Sequence, residues 1–463
     1  MMVSLLLLVL SLAAPLAASA SGDGRVNVVL VGATGNLAQK YLWQVLFDTQ
    51  AQEGAGSFGV FAGATQKPEK GEPKVREILG GNITCARGKS AQPAEGCEAR
   101  MDTFGAAVPY FQLRGEKHYA ALDAAVRAAT AASGQAEAGR IFYLSVPPKF
   151  YGSIAELIHK HARPHEGGWL RVVFEKPFGS DVASARDLAA QLTTAGLVEP
   201  EIYRIDHYLG KVGVQSIGAF RMANRHMDEE FLHNGVVERV EVVMAEKENC
   251  EGRTGFYDKY GVVRDVLQNH LTEMLALLTL DLPADHDPSD RELLDAKVAL
   301  LRSVTKPTSR DAILGQYAAY DAHVREDRAR WAKDGEIDDA PNTRMPTYAN
   351  VRLEIDNDRW RGVPFYLIAG KELDERRAYL RVVMKSDAPG IQGKQRQLLF
   401  NVQGGPAREE GGSTFVGRSG FKASRDTLPG FEEAHDAVRN TMRNVVVDTA
   451  RGRRGGGGER ERF

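Results

Sequence analysis

Between residues 204 and 211 the chain reads RIDHYLGK, which sets an acid, an imidazole, a phenol and an ammonium around one glycine. His207, Tyr208 and Lys211 can each donate to a phosphate dianion, and Asp206 can orient an imidazole. The octapeptide reads as half of an active site, or as a solvated polar loop. A second imidazole, His270, lies in RDVLQNHLTEMLALLTL on a stripe with Val266, Leu267, Leu271, Met274, Leu275 and Leu278. Imidazole titrates near neutrality and suits a general base. On an apolar stripe it also suits a satisfied core position, although polar Asp265, Gln268 and Asn269 are close by. EKPFG (175–179) follows an apolar run and carries Lys176, and GKELDER (370–376) carries Lys371 and Arg376. Each of these reads either as a binding segment or as a surface turn. Gly32-Ala33-Thr34-Gly35, followed by Asn36 and Leu37, is a short G-x-x-G. Glycines there let backbone N–H groups approach a pyrophosphate at a helix N-terminus. A tight strand-to-helix turn needs the same residues.

These side chains must be held by regular elements. Val26–Val31 is a short apolar run of the kind found in buried parallel strands, and Leu37, Tyr41, Leu42, Val45 and Leu46 then follow at helical spacing. Strand, glycine turn and helix open a dinucleotide-binding βαβ unit. FGVFAG (58–63), GRIFYLSVPP (139–148) and WLRVVFEKPFG (169–179) predict further strands, and 151–161 and 184–194 predict helices. Strands alternating with helices indicate a parallel, doubly wound sheet up to about residue 205. In such a sheet the strand ends face the ligand crevice, so Lys176 points toward it. The Lys176–Pro177 bond can be cis, which would fix the lysine's direction.

Past RIDHYLGK the pattern changes. VERVEVVMAE (237–246) alternates with period two, as a half-solvated antiparallel strand does. YANVRLEI, GVPFYLIAG, AYLRVVMK and RQLLFNVQ predict more strands around the helical stripe of His270. The expected architecture is an α/β Rossmann-like dinucleotide-binding domain over 25–205, followed by an α+β domain with a large, mainly antiparallel sheet over 206–425. The last stretch, 426–463, ends in the low-complexity RGRRGGGGERERF and is expected to be a disordered tail.

Hydrophobic residues make up 43% and charged residues 26%, with a formal net charge of -2, a balance that gives no reason to expect nucleic acid or an anionic membrane as partner. Residues 1–20 hold a short apolar block and an Ala18-Ser19-Ala20 site, which predicts a cleaved secretory signal, although no Lys or Arg precedes the block. No later run is apolar enough to span a membrane. Asn82-Ile83-Thr84 is a glycosylation sequon. Cys85 and Cys97 could close a short loop in an oxidising lumen or remain two thiols, with Cys250 left over.

Together the motifs resemble one family. D-H-Y-L-G-K is a marker of the glucose-6-phosphate dehydrogenases. EKPFG, EGRTGFYDKYGVVRDVLQNHL and GKELDER stand in that family's order, and the resemblance runs from about residue 26 to about residue 420. GATGNLAQKYLW, GRIFYLSVPP and the N-terminal signal are similar to the luminal branch of the family, found in the endoplasmic reticulum. The resemblance implies oxidation of glucose 6-phosphate, and of other hexose 6-phosphates, at C1 with NADP or NAD. It makes His270 the base and Asp206 its hydrogen-bonded partner. It gives the 6-phosphate to His207, Tyr208 and Lys211, and the rest of the sugar pocket to Lys176, Glu246, Asp265, Lys371 and Arg376. The cofactor goes to Gly32, Ala33, Thr34, Gly35, Asn36 and Leu37, with Lys176 shared, and a homodimer is implied.

This chain also departs from the family. The usual G-A-S-G-D-L-A-K turn has Asn36 in place of the acid and Gln39 in place of the lysine. Asn36 can still cap the helix. After the second strand only Lys67 is near the place of the arginine that holds a 2′-phosphate, which predicts relaxed choice between NAD and NADP. Ile368 stands where some members bind a structural NADP through an arginine. The luminal branch carries a lactonase domain, which this chain is expected to lack, and the divergence after about residue 420 is expected to cost the last sheet elements and leave an unpaired edge or an exposed apolar face. Two competing expectations are a sugar oxidoreductase without phosphate selectivity, and a non-catalytic chain that binds nucleotide or dimerises.

Overall fold

The computed structural model describes residues 24–85, 95–164, 167–285, 288–331, 344–386, 397–403, 414–416 and 421–424. The signal expected at 1–20 and the tail expected at 426–463 lie outside them. The chain separates into two compact units, with the division between His207 and Tyr208.

The first unit holds strands β1 (Arg25–Val31), β2 (Phe58–Ala64), β3 (Tyr110–Gln112), β4 (Glu137–Leu144), β5 (Trp169–Glu175) and β6 (Ile202–Ile205). They form one sheet in the order β3-β2-β1-β4-β5-β6, with every pairing parallel. Its helices are α1 (Trp43–Glu53), α2 (Pro68–Asn82), α3 (Cys97–Ala107), α4 (Glu116–Ala132), α5 (Tyr151–His161) and α6 (Val182–Thr194). The alternation along β1 explains the double winding. Val28 and Leu30 join Trp43, Phe47, Ile78 and Phe104 in one core, while Val29 and Val31 join Leu122, Val126, Tyr151 and Ile158 in another. Burying such a side chain is worth about 1.5–3 kcal/mol, so a strand apolar on both faces is stable only between two helical layers. The strand order reverses between β1 and β4, where ligands enter open α/β sheets.

Two strands of this sheet escaped the sequence reading. β3 is three half-buried residues, YFQ, and β6 is IYRI with Arg204 exposed, so neither shows a continuous apolar run. Arg140 interrupts β4 with a charge that is fully buried, and it bonds Asp123 at 2.7 Å, Glu137 at 2.9 Å and the Ala162 carbonyl at 2.9 Å. Those partners offset the cost of removing the guanidinium from water. Cys85 and Cys97 are joined as a disulfide between α2 and α3, and Cys250 is a buried free thiol. Asn82 of the sequon is exposed at the end of α2.

The second unit holds strands β7 (Val237–Ala245), β8 (Ala312–Gly315), β9 (Tyr348–Leu353), β10 (Phe365–Gly370), β11 (Arg377–Met384), β12 (Gln397–Gln403), β13 (Thr414–Val416) and β14 (Phe421–Ser424). The sheet order is β13-β14-β12-β11-β7-β10-β9-β8. Helices α7 (Val212–Ala223), α8 (Arg225–Phe231), α9 (Thr254–Val262), α10 (Thr272–Thr279), α11 (Asp290–Ser303) and α12 (Tyr320–Trp331) accompany it, with a π-helical segment, Val263–Leu271, leading into α10. One core contains Val240, Val242 and Met244 of β7 together with Leu271, Met274 and Leu278 of the helical stripe. The opposite side of the sheet is polar, with Glu241 of β7 paired to Arg381 of β11 and Arg239.

One expectation needs correction. β7 was expected to be an antiparallel strand. It is antiparallel to β11 but parallel to β10, with Ala245 opposite Gly370. Period-two alternation reports a half-buried strand and says nothing about its neighbours' direction. Beyond β12 the sheet continues, with β14 paired to β12 and β13 to β14, so its edge on that side lies at β13. Among the described residues no helix is long and apolar enough to cross a membrane.

Candidate active site

The first unit builds a crevice from strand ends. Gly32 directly follows β1; its φ of +91° is left-handed, and a Cβ there would lie 2.1 Å from the Ser145 carbonyl oxygen. Only glycine fits, and the turn runs close against the end of β4. The Gly32 and Ala33 amides donate to the Gly63 carbonyl at 2.8 and 3.0 Å, and the Trp43 indole donates to the Ala33 carbonyl at 2.9 Å. Asn36 is exposed, and the helical start has no side-chain capping bond at Leu37, so the expected cap is not formed. A cavity of about 570 Å³ opens over this turn. Gly32, Thr34 and Gly35 line it together with Ala64 and Thr65 at the end of β2, Leu113 and Arg114 after β3, and Ser145 to Pro147 after β4. Glycines where a side chain would collide, beside a cavity of this size, fit a dinucleotide.

On the other side of the switch point, Glu175 ends β5 opposite Ile205 of β6, so Lys176 and Asp206 follow adjacent strand ends. The Lys176–Pro177 peptide is cis. Tyr143 donates to the Glu175 carboxylate. Burial raises the Glu175 pKa; the Tyr143 bond and Lys176 oppose this, and Asp206 adds to it. Asp206 is buried and His207 is exposed.

The second unit carries its own cluster. The Tyr208 and His270 rings stack with centroids 4.2 Å apart, and His270 is only 4% exposed. The Lys211 ammonium lies 3.4 Å from the centre of the Tyr208 ring and donates to Gln403 Oε1 at 2.6 Å. Tyr208 Oη donates to Met244 Sδ at 3.3 Å. Gly213 makes the Lys211 contact possible. A Cβ there would lie 2.5 Å from the Asn401 carbonyl oxygen, so α7 can approach β12 only through glycine.

The parallel β7/β10 pair assembles a further group. Its register puts Glu246, just past β7, beside Lys371, just past β10, and their side chains pair at 2.5 Å. Backbone bonds from Leu373 to Glu246 and from Glu372 to Glu248 tie the two loops together. Arg376 pairs with Glu248 at 2.9 Å on the exposed side. Half-buried Asp265 acts electrostatically on Tyr257 and Cys250, as Glu246 does on Tyr257 and Lys371 on Cys250. Burial pushes the Tyr257 phenol well above its ordinary range, with further contributions from Cys250, Asp265 and Glu246. Its hydroxyl is buried with no hydrogen-bond partner among the described residues.

The first unit thus holds Gly32, Ala33, Thr34, Gly35, Asn36, Leu37, Lys176, Asp206 and His207, and the second brings Tyr208, Lys211 and His270 into one cluster and Glu246 and Lys371 into another. Gln403, Tyr257 and Arg114 were not foreseen. Gln403 ends a strand and carries no chemical signature of its own, and Arg114 follows a strand too short to recognise.

Comparison with known proteins gives this arrangement a family. Residues 29–216 match the NAD-binding domain, and residues 218–406 the C-terminal domain, of glucose-6-phosphate dehydrogenase. The chain is 41% identical over 394 residues to the human GDH/6PGL endoplasmic bifunctional protein, covering 82% of this chain and 48% of that protein. It therefore spans about half the length of that relative. It is 34% identical to the cytoplasmic glucose-6-phosphate 1-dehydrogenase 6 of Arabidopsis thaliana, covering 79% of this chain and 68% of that protein. A solved glucose-6-phosphate dehydrogenase in complex with glucose 6-phosphate superimposes with a TM-score of 0.70 at 26% identity, covering 93% of this chain and 88% of the other. With both domains matched in order and along most of its length, the chain belongs to the glucose-6-phosphate dehydrogenase family.

Proposed function

We propose that this chain oxidises glucose 6-phosphate at C1 to 6-phosphoglucono-1,5-lactone, with NADP or NAD as acceptor. The carrying observation is the buried cluster in which the Tyr208 ring contacts both the His270 imidazole and the Lys211 ammonium, the latter held by Gln403. Lys211, with His207 and Tyr208, holds the 6-phosphate, pairing a dianion with an ammonium. Glu246, Asp265, Lys371 and Arg376 orient the ring hydroxyls, and Lys176 touches sugar and cofactor. His270 takes the C1 hydroxyl proton while the hydrogen on C1 leaves as hydride, and Asp206 steadies the imidazolium. The nicotinamide, when bound at the Gly32–Leu37 turn, supplies the hydride acceptor. Fixing C1 toward the acceptor lowers the barrier through orientation.

The same reading extends to other hexose 6-phosphates and to a homodimer. It places the protein in the lumen of the endoplasmic reticulum, where its product would enter a luminal pentose phosphate route. The disulfide and the exposed sequon support an oxidising compartment. Purified chain is expected to generate NAD(P)H absorbance with glucose 6-phosphate, and His270→Asn to lower the rate at least about 10²-fold. Equal rates in the two proteins would remove His270 from its role. Equal efficiency with free glucose would remove the phosphate clamp.

A further inference from the structure

The dinucleotide crevice has a cationic wall on the side of β2 and β3. Arg114, just past β3, lines the cavity with Thr65, just past β2. Its Nε donates to the Thr65 carbonyl at 2.7 Å, which fixes the guanidinium over the β2 exit. Gln112 Nε2 donates to the same carbonyl at 3.2 Å, and Tyr110 Oη donates to the Gln66 carbonyl at 2.8 Å. Three β3-derived side chains thus brace the loop that follows β2. Arg114 is exposed and pairs with no carboxylate among the described residues. The β2 exit reads Ala64-Thr65-Gln66-Lys67, with no acid before Glu69 in the first turn of α2.

In a sheet of this order the adenosine ribose lies at the end of β2. An acid there accepts from the 2′-hydroxyl of NAD, whereas an arginine nearby accommodates the 2′-phosphate of NADP. We propose that Arg114 is a specificity-determining residue that binds the adenosine 2′-phosphate, so that this chain prefers NADP. The inference rests on the dinucleotide reading of the crevice and replaces the relaxed choice expected from Lys67 alone. With Nε committed to Thr65, the two terminal nitrogens form a fork suited to phosphate oxygens.

Equilibrium binding to the purified full chain tests it, with NADP, NAD, adenosine 2′,5′-bisphosphate and adenosine 5′-monophosphate as titrants. Native protein is expected to bind NADP at least about tenfold more tightly than NAD, and the bisphosphate more tightly than the monophosphate. Arg114→Ala should lose that advantage while its NAD affinity stays within about twofold, and Arg114→Lys should recover part of it. Equal weakening of NADP and NAD in Arg114→Ala would show that the guanidinium packs on adenine, and would overturn the proposal. So would native protein binding NADP and NAD alike. If native protein binds neither dinucleotide, the reading of the crevice itself falls, a result distinct from loss of discrimination alone.

Discussion

A side chain's role here depends on what its polar atoms meet. His270 sits on an apolar stripe, where a histidine can be merely packed, yet its ring stacks on Tyr208, whose other contacts include Lys211. Glu175 shows the same point for a charge. Burial holds its carboxyl above the ordinary range. An acid with a raised folded pKa binds its proton more tightly in the native state. Stability therefore falls as pH rises from the unfolded pKa through the folded one, and the deficit persists above it. Glu175→Gln keeps an acceptor for Tyr143 without the charge. It is expected to melt at a higher temperature than native protein at neutral pH, with the difference shrinking in acid. Thermal unfolding across pH checks this, and an advantage that grows toward acid would contradict it.

At the scale of elements, close backbone approach sets the geometry. α7 meets β12 at Gly213, where a methyl group would lie 2.5 Å from a carbonyl oxygen. Gly213→Ala should push the helix away and separate Lys211 from Gln403. KM for glucose 6-phosphate should rise at least about tenfold, with about 1–3 kcal/mol lost in stability. Kinetics beside denaturant unfolding read both effects, and an unchanged KM would show that the helix position does not hold Lys211. The strands legible in the sequence were those with long apolar or alternating runs, β1, β2, β4, β5, β7 and β9 to β12. The short strands β3, β6 and β8 were not, because three or four residues carry too little periodicity. The π-helical segment bearing His270 was legible as a stripe but not as a π-helix, since its apolar pattern is that of an ordinary helix.

For the whole molecule, two units carry separate cores, two layers flanking the first sheet and one core on the second. The disulfide is the covalent link within the first unit, closing a loop with a sequence separation of 12. Replacing both Cys85 and Cys97 with serine should lower the unfolding free energy by about 2–3 kcal/mol, chiefly by freeing the unfolded chain. Calorimetry of the double variant would read this as a lower melting temperature, and an unchanged transition would show that the disulfide adds little. The chain alone determined the class of each unit, because hydrophobic period and glycine turns are local properties. It also determined the family, through motifs in order. Tertiary structure decided that Glu246 meets Lys371, that Gln403 holds Lys211, and that Arg114 lines the crevice beside Thr65. Each pair comes from segments distant in sequence. Strand direction and register bring them together, and no local periodicity encodes either.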